Sequence, residues 1–269
     1  MSKVMLDKSC ATFLAKAKKA ERRKPRERYV KELYKEIDMD SKIIKKYNDI
    51  SIEAKTYIDI IFDKLDIRDN DRVKVLQGII FHGIISNYSA FMLLQGNKFY
   101  IESSTILRSA VELLFIFKSL HKKPNETLDR LDNHLKYISL NQIKNTIFHG
   151  KYPELLETAK SISLDELKDA SKTMPWKWAE LGECIDYYDY AYSILSNYSH
   201  ANLISLEKRL KRNGEKFEIS SYFDYEEQDL LFFTMYAVLI ECFEVMNNED
   251  YYKLKDKIEV MKEKLNSYA

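Results

Sequence analysis

Two short stretches of the chain combine residue types able to handle a phosphate. The first is Ser104–Leu120, STILRSAVELLFIFKSL, in which Arg108 and Glu112 are the only charges as far as Phe117. A spacing of four puts both on one face of a helix. Arginine presents a planar fork of N–H donors matched to carboxylates and phosphates, and a glutamate one turn away can hold that fork in one orientation. The second is Tyr187–Leu206, YYDYAYSILSNYSHANLISL, where Tyr192, Ser196, Ser199 and His200 share a face and His200 stands in an uncharged run from Ala191 to Leu206. An imidazole titrates near neutrality, so it can serve as general acid and base, with the hydroxyls as its positioning groups. A third stripe, His82, Ser86 and Ser89, lies in the uncharged run Val75–Asn97 and is expected to face the same space. Each group also has a plain structural reading. Arg108–Glu112 would be a buried ion pair tying helices together, and His200 a core histidine satisfied by its neighbours.

The elements that must carry these residues are helical. The 269 residues include only 6 glycines and 4 prolines, too few for the many turns of a β-rich fold. No GxGxxG and no GxxxxGK[ST] occurs, which excludes Rossmann and P-loop nucleotide sites. Helical periodicity predicts segments near 3–23, 26–47 and 51–65. Asp69-Asn70-Asp71 supplies N-cap chemistry for a helix to about 95, and further helices are expected at about 99–121 and 126–148. Shorter helices should follow Pro153 and Ser163. Met174-Pro175-Trp176 reads as a loop anchored by Trp176 and Trp178, before a long helix over about 180–205. His121, His134 and His149 fall near helix ends and are expected to be solvated. Asn213-Gly214 is a hairpin signal between short flanks within 207–221. Helices to about 247 and over about 249–267 close the chain. The reading is an all-α multi-helix bundle with a small β-hairpin, divided into a charged helical arm, 1–48, and a bundle domain, 49–269.

Net charge is only +1, but residues 16–31 hold nine basic side chains against Glu21 and Glu27, a local +7. Such a segment can grip an RNA backbone, although a solvated helical face explains it equally well. The three cysteines, Cys10, Cys184 and Cys242, show neither CxxC nor zinc spacing, so reduced thiols and a cytoplasmic setting are expected. No carboxylate pair has metal-ligand character, and neither a metal nor another cofactor is expected. Six polar side chains interrupt the longest uncharged run, which argues against a membrane span.

The helix with LRSAVELLFIF (Arg-x-x-x-Glu), followed much later by YDYAYSILSNYSHANL (Tyr…Ser-x-x-x-His), resembles a bacterial all-α family of unknown function related to the HEPN superfamily. The resemblance covers roughly residues 75–245. It implies a helical bundle, often dimeric, and a metal-independent ribonuclease of toxin–antitoxin or antiphage type. The usual superfamily signature, an arginine and a histidine on one helix with four to six residues between them, is missing. Arg130-x-x-x-His134 is one residue too short. The site must therefore be assembled from Arg108 and His200 on different helices. In the catalytic reading His200 is the general acid/base, Arg108 stabilises the phosphorane, Glu112 orients Arg108, and Ser196 or Tyr192 positions His200. The partners implied are RNA, held by 16–31, an antitoxin or defence protein, and a second copy of the chain. The alternative is a non-catalytic interaction module or anionic-ligand sensor built on the same buried cluster.

Overall fold

A computed structural model of the chain describes residues 42–65, 71–149, 170–199, 206–207, 209–213, 216–219, 223 and 225–268. The arm with its basic segment 16–31, the expected helices after Pro153 and Ser163, and His200 lie outside the described residues. The elements in chain order are α1 (Lys42–Lys64), α2 (Arg72–Gly96), α3 (Tyr100–Lys122), α4 (Pro124–His149) and α5 (Pro175–Leu181). A π-helical turn (Tyr187–Tyr192) then runs into α6 (Ser193–Ser199). The strands β1 (Leu210–Asn213) and β2 (Lys216–Ile219), α7 (Tyr225–Met246), a 3-10 turn (Asn248–Asp250) and α8 (Lys255–Asn266) complete the order. The architecture is the expected all-α bundle. Its hairpin is antiparallel, with Leu210 opposite Ile219 and Asn213 opposite Lys216. Among the described residues no helix is long and apolar enough to cross a membrane.

The centre of the bundle is α3, packed against α2, α4, α5, α6 and α7. Its sequence explains the position. Leu107, Val111, Leu114, Phe115 and Phe117 are all fully buried, and buried Ile101 and Leu120 widen this face to most of the helix circumference. Asp71 caps α2 as expected, its carboxylate accepting from the Lys74 N–H at 3.0 Å. The core between α1, α2 and α7 is aromatic. Tyr47 stacks on Phe232 and Tyr236, and Phe91 meets Phe232 edge-on. Several of the 19 tyrosines sit there because the ring can be buried while its hydroxyl finds a partner. Tyr236 meets Ser51, and Tyr47 donates to the Asp229 carbonyl at 3.4 Å.

Three boundaries differ from the expected ones. The helix near 51–65 begins at Lys42 and passes through Asn48-Asp49, because Ile43, Ile44, Tyr47 and Ile50 are all buried on one stripe. The bundle therefore starts before residue 49, and the compact unit to which α1 belongs begins at Ser41. Met174-Pro175-Trp176 opens a short helix, with Pro175 in the first turn where its missing N–H costs nothing. Trp178 is buried there, whereas Trp176 stays exposed under the Lys177 ammonium. The helix expected to run unbroken from 180 is interrupted at Gly182-Glu183, where Glu183 has φ 53°. A Cβ on Gly182 would stand 3.0 Å from the Ser119 nitrogen and 3.1 Å from the Phe115 carbonyl, so glycine lets this turn lie directly on the α3 backbone.

Candidate functional site

The polar residues of α3 point towards the π-helical turn and α6. Arg108 Nη2 lies 2.9 Å from Glu112 Oε1, an i,i+4 ion pair along α3. The same nitrogen donates to the Tyr192 hydroxyl at 2.6 Å, and Arg108 Nε donates to Ser196 Oγ at 3.2 Å. Tyr192 in turn donates to Glu112 Oε1 at 2.8 Å, closing a ring of arginine, phenol and carboxylate. The guanidinium also lies over the Tyr192 ring, 4.9 Å from its centroid. Four of the five expected site residues, Arg108, Glu112, Tyr192 and Ser196, thus form one network across two elements. Ser199 is not part of it; its hydroxyl donates to the Leu195 carbonyl.

Local backbone geometry makes the convergence possible. Ser193 N–H bonds the Tyr188 carbonyl, an i to i−5 register one residue wider than an α-helical turn. The wider turn aligns Tyr188 over Tyr192, stacked at 5.2 Å, and both rings lean on Phe115 of α3. Tyr192 and Ser196, one turn apart, then both reach Arg108. Nothing in YYDYAY distinguishes a π-turn from an α-turn, so sequence periodicity cannot announce it.

The site is half-buried, shallower than the buried cluster expected from sequence. The Arg108 side chain keeps 21% of its accessible surface and Glu112 keeps 34%. Burial, aided by the hydrogen bond to Glu112 and opposed by Arg108, raises the Tyr192 phenol above its ordinary value. It is protonated at neutral pH, a donor to Glu112 and an acceptor from Arg108. The contacts to Arg108 run through Nε and Nη2, and among the described residues none engages Nη1. Among the described residues, one edge of the guanidinium is thus left without a partner.

The remaining candidates lie elsewhere. His82 and Ser86 are exposed on the outer face of α2, with the His82 ring 6.1 Å from Phe62 of α1, and Ser89 bonds back to the Ile85 carbonyl. The stripe does not join Arg108, because the apolar face of α2, not its polar one, packs on α3. His121 and His134 are half-buried, not solvated, and burial lowers both imidazoles below their ordinary value. His134 Nδ1 accepts from the Thr173 N–H at 3.1 Å, and Arg130 turns back to Glu126. The side chain of His149 lies outside the described set. Burial pushes the Cys184 thiol up to about 12, and Cys242 is raised as well, so neither is a nucleophile at neutral pH. Among the described residues no three His, Cys, Asp or Glu side chains gather as metal ligands.

Fold and site together define an all-α protein in which a central-helix arginine is braced by a carboxylate and by hydroxyls from a π-helical turn. The chain belongs to a family of unknown function, DUF5677, whose model matches residues 78–217. That span runs from α2 into β2 and includes Arg108, Glu112, Tyr192 and Ser196. No curated protein and no solved structure matches the chain.

Proposed function

We propose that this is an HEPN-like protein of bacterial antiphage-defence or toxin type that acts on RNA by metal-independent cleavage at Arg108. The observation that carries the reading is the braced guanidinium: Nε and Nη2 are held by Ser196, Tyr192 and Glu112 while Nη1 has no protein partner among the described residues. A donor fork fixed before the ligand arrives stabilises charge developing on a phosphate without reorganising. In the reaction His200 removes the proton of a ribose 2′-hydroxyl, the freed oxygen attacks the adjacent phosphorus, and the 5′-oxygen leaves with a proton. The products are a 2′,3′-cyclic phosphate and a 5′-hydroxyl. Arg108 binds the non-bridging oxygens of the phosphorane, and the basic 16–31 segment holds the strand. The setting is the cytoplasm, and the expected protein partners are an antitoxin or defence component and a second copy of the chain.

A second reading, recognition of an anionic ligand without cleavage, is favoured by one specific feature. Glu112 already matches the Arg108 charge, which weakens the field offered to a phosphorane. The two readings separate in one experiment. The full chain is incubated with a mixed RNA pool in the presence of a chelator, products are checked for 5′-hydroxyl ends, and RNA retention is measured against salt. Cleavage lost in Arg108→Ala, Arg108→Lys and His200→Ala, with folding intact, supports the first reading, since lysine lacks the planar fork. Removal of residues 1–30 should lower the salt slope by about 0.7 per lost single-strand phosphate contact. Retention without product supports the second reading. Neither retention nor product at low salt refutes both.

A further inference from the structure

Behind the Arg108 site, the same segment that presents Tyr192 and Ser196 to α3 turns a different face to α7. A groove of about 350 Å³ lies there, walled by Tyr187, Ala191 and Ile194 on one side and by Leu230, Thr234 and Ala237 on the other. Each wall repeats i, i+4, i+7. The walls run antiparallel: the Tyr198 hydroxyl donates to Glu227 near the start of α7, and the charge of Glu241, near its end, acts on Tyr187. Two antiparallel ridges with this spacing leave a valley shaped for the apolar stripe of a third helix.

The apolar surface here is larger than the described residues cover. From Leu230 to Val245 the only charges of α7 are Glu241 and Glu244, the composition of a helix enclosed on all sides. Yet Leu230 is 45% exposed, Ile194 37% and Tyr190 74%. Charge indicates what fits. Neither wall, 185–199 or 225–246, contains a lysine or arginine, whereas the two contain seven acids. Asp229, Glu241 and Glu244 are matched by Lys46, Lys118 and Lys262 from other elements, and Glu227 accepts from Tyr198. Asp186, which lines the groove, and Glu226, one turn before Leu230 on the same face of α7, remain exposed at its two ends, with no basic residue on either wall to answer them.

We propose that this groove docks a basic amphipathic helix of a partner protein, its apolar stripe between the two walls and its lysines or arginines against Asp186 and Glu226. A second copy of the chain using the same face would bring acid against acid, which opposes an isologous pairing. RNA would be repelled by the same rim. The proposal does not depend on the activity assigned to Arg108.

The test is fluorescence anisotropy of the full chain with two labelled model peptides of about 18 residues, or five helical turns. One is built of leucine and lysine with leucine at helical spacing, and the other is its leucine and glutamate counterpart. Saturable binding of the lysine peptide, one per chain, is expected, with the glutamate peptide at least about tenfold weaker. The double variant Asp186→Lys/Glu226→Lys and the single variant Leu230→Asp should each weaken the lysine peptide by about tenfold or more. All three positions are exposed, and circular dichroism checks that the bundle is retained. Equal affinity for the two peptides, or no response to the Asp186/Glu226 reversal, overturns the proposal. So does self-association of the chain that Leu230→Asp abolishes in sedimentation, since the occupant would then be a second copy.

Discussion

Removing Glu112 tests how the Arg108 network is held together. Glu112 Oε1 receives both Arg108 Nη2 and the Tyr192 hydroxyl, so Glu112→Ala strands a guanidinium and a phenol at once. Full burial would put the loss at about 3–5 kcal/mol, whereas a freely exposed pair would cost only about 0.2–1 kcal/mol. With a fifth of Arg108 and a third of Glu112 accessible, water re-solvates part of what is lost, and about 2 kcal/mol is expected. For a bundle of this size that is a fall in Tm of about 4–8 °C. Glu112→Gln should lose about half as much, because its amide oxygen still accepts from Tyr192. A double-mutant cycle with Arg108→Met isolates the pair, with a coupling of about 1 kcal/mol that shrinks in high salt. The measurement is reversible denaturant unfolding of the four proteins with thermal melts beside it. A loss below about 0.5 kcal/mol for Glu112→Ala would mean the ring of contacts is not formed. A loss near 4 kcal/mol would mean the site is sealed, and the edge at Nη1 would then be closed to any ligand.

Two further predictions concern the frame around the site. Gly182→Ala forces a Cβ against the α3 backbone and should cost about 1–3 kcal/mol in thermal unfolding. Gly83→Ala meets only the tip of Leu113 at 3.1 Å and gains helix propensity, so it should lie within about 1 kcal/mol of the parent; equal losses at the two glycines would refute the close approach at Gly182. His134 is held neutral by burial and by Lys172, with Nδ1 accepting from Thr173, so its folded pKa is below the unfolded one. The unfolded chain then binds more protons, and this stability is present above about pH 6.5 and lost as pH falls through that value towards the folded pKa. His134→Leu should flatten the dependence of Tm on pH between about 5 and 7 without abolishing it, because His121 is shifted the same way. An unchanged slope would show that the His134–Thr173 contact does not form.

The parts of the fold that were legible in sequence are those where one rule acts alone. From Ser104 to Phe117 only two charges break the apolar surround of α3, and such a helix has nowhere to go but the centre. Asp71 and the Asn213-Gly214 pair are local signals, and the cap and the hairpin formed where they stood. That Arg108, Glu112, Tyr192 and Ser196 belong to one cluster was legible because polar groups on otherwise apolar helices must find partners, but the expected partner of Tyr192 and Ser196 is His200, whereas the contacts observed are to Arg108. What escaped was decided by contacts between elements. Asn48-Asp49 reads as a break until Tyr47 and Ile50 are buried on either side of it. His82 and Ser86 read as a pocket lining because their helix is apolar enough to look enclosed, yet they face outward.

Depth is a separate quantity from direction, and the Arg108 site depends on the difference. Spacing along a helix says which way a side chain points relative to its neighbours on that helix. How much water reaches it depends on what the next element leaves uncovered. At Arg108 that element is a π-turn, whose extra residue brings Tyr192 and Ser196 onto Nη2 and Nε while Nη1 has no partner among the described residues. An ordinary α-turn at 187–192 would rotate each residue beyond it by about 100° per residue of register and carry Ser196 away from Nε. The widened turn is therefore what converts an ion pair on the central helix into a braced guanidinium. It also swings Ala191 and Ile194 towards α7, so one irregular turn shapes both the Arg108 network and the apolar groove behind it.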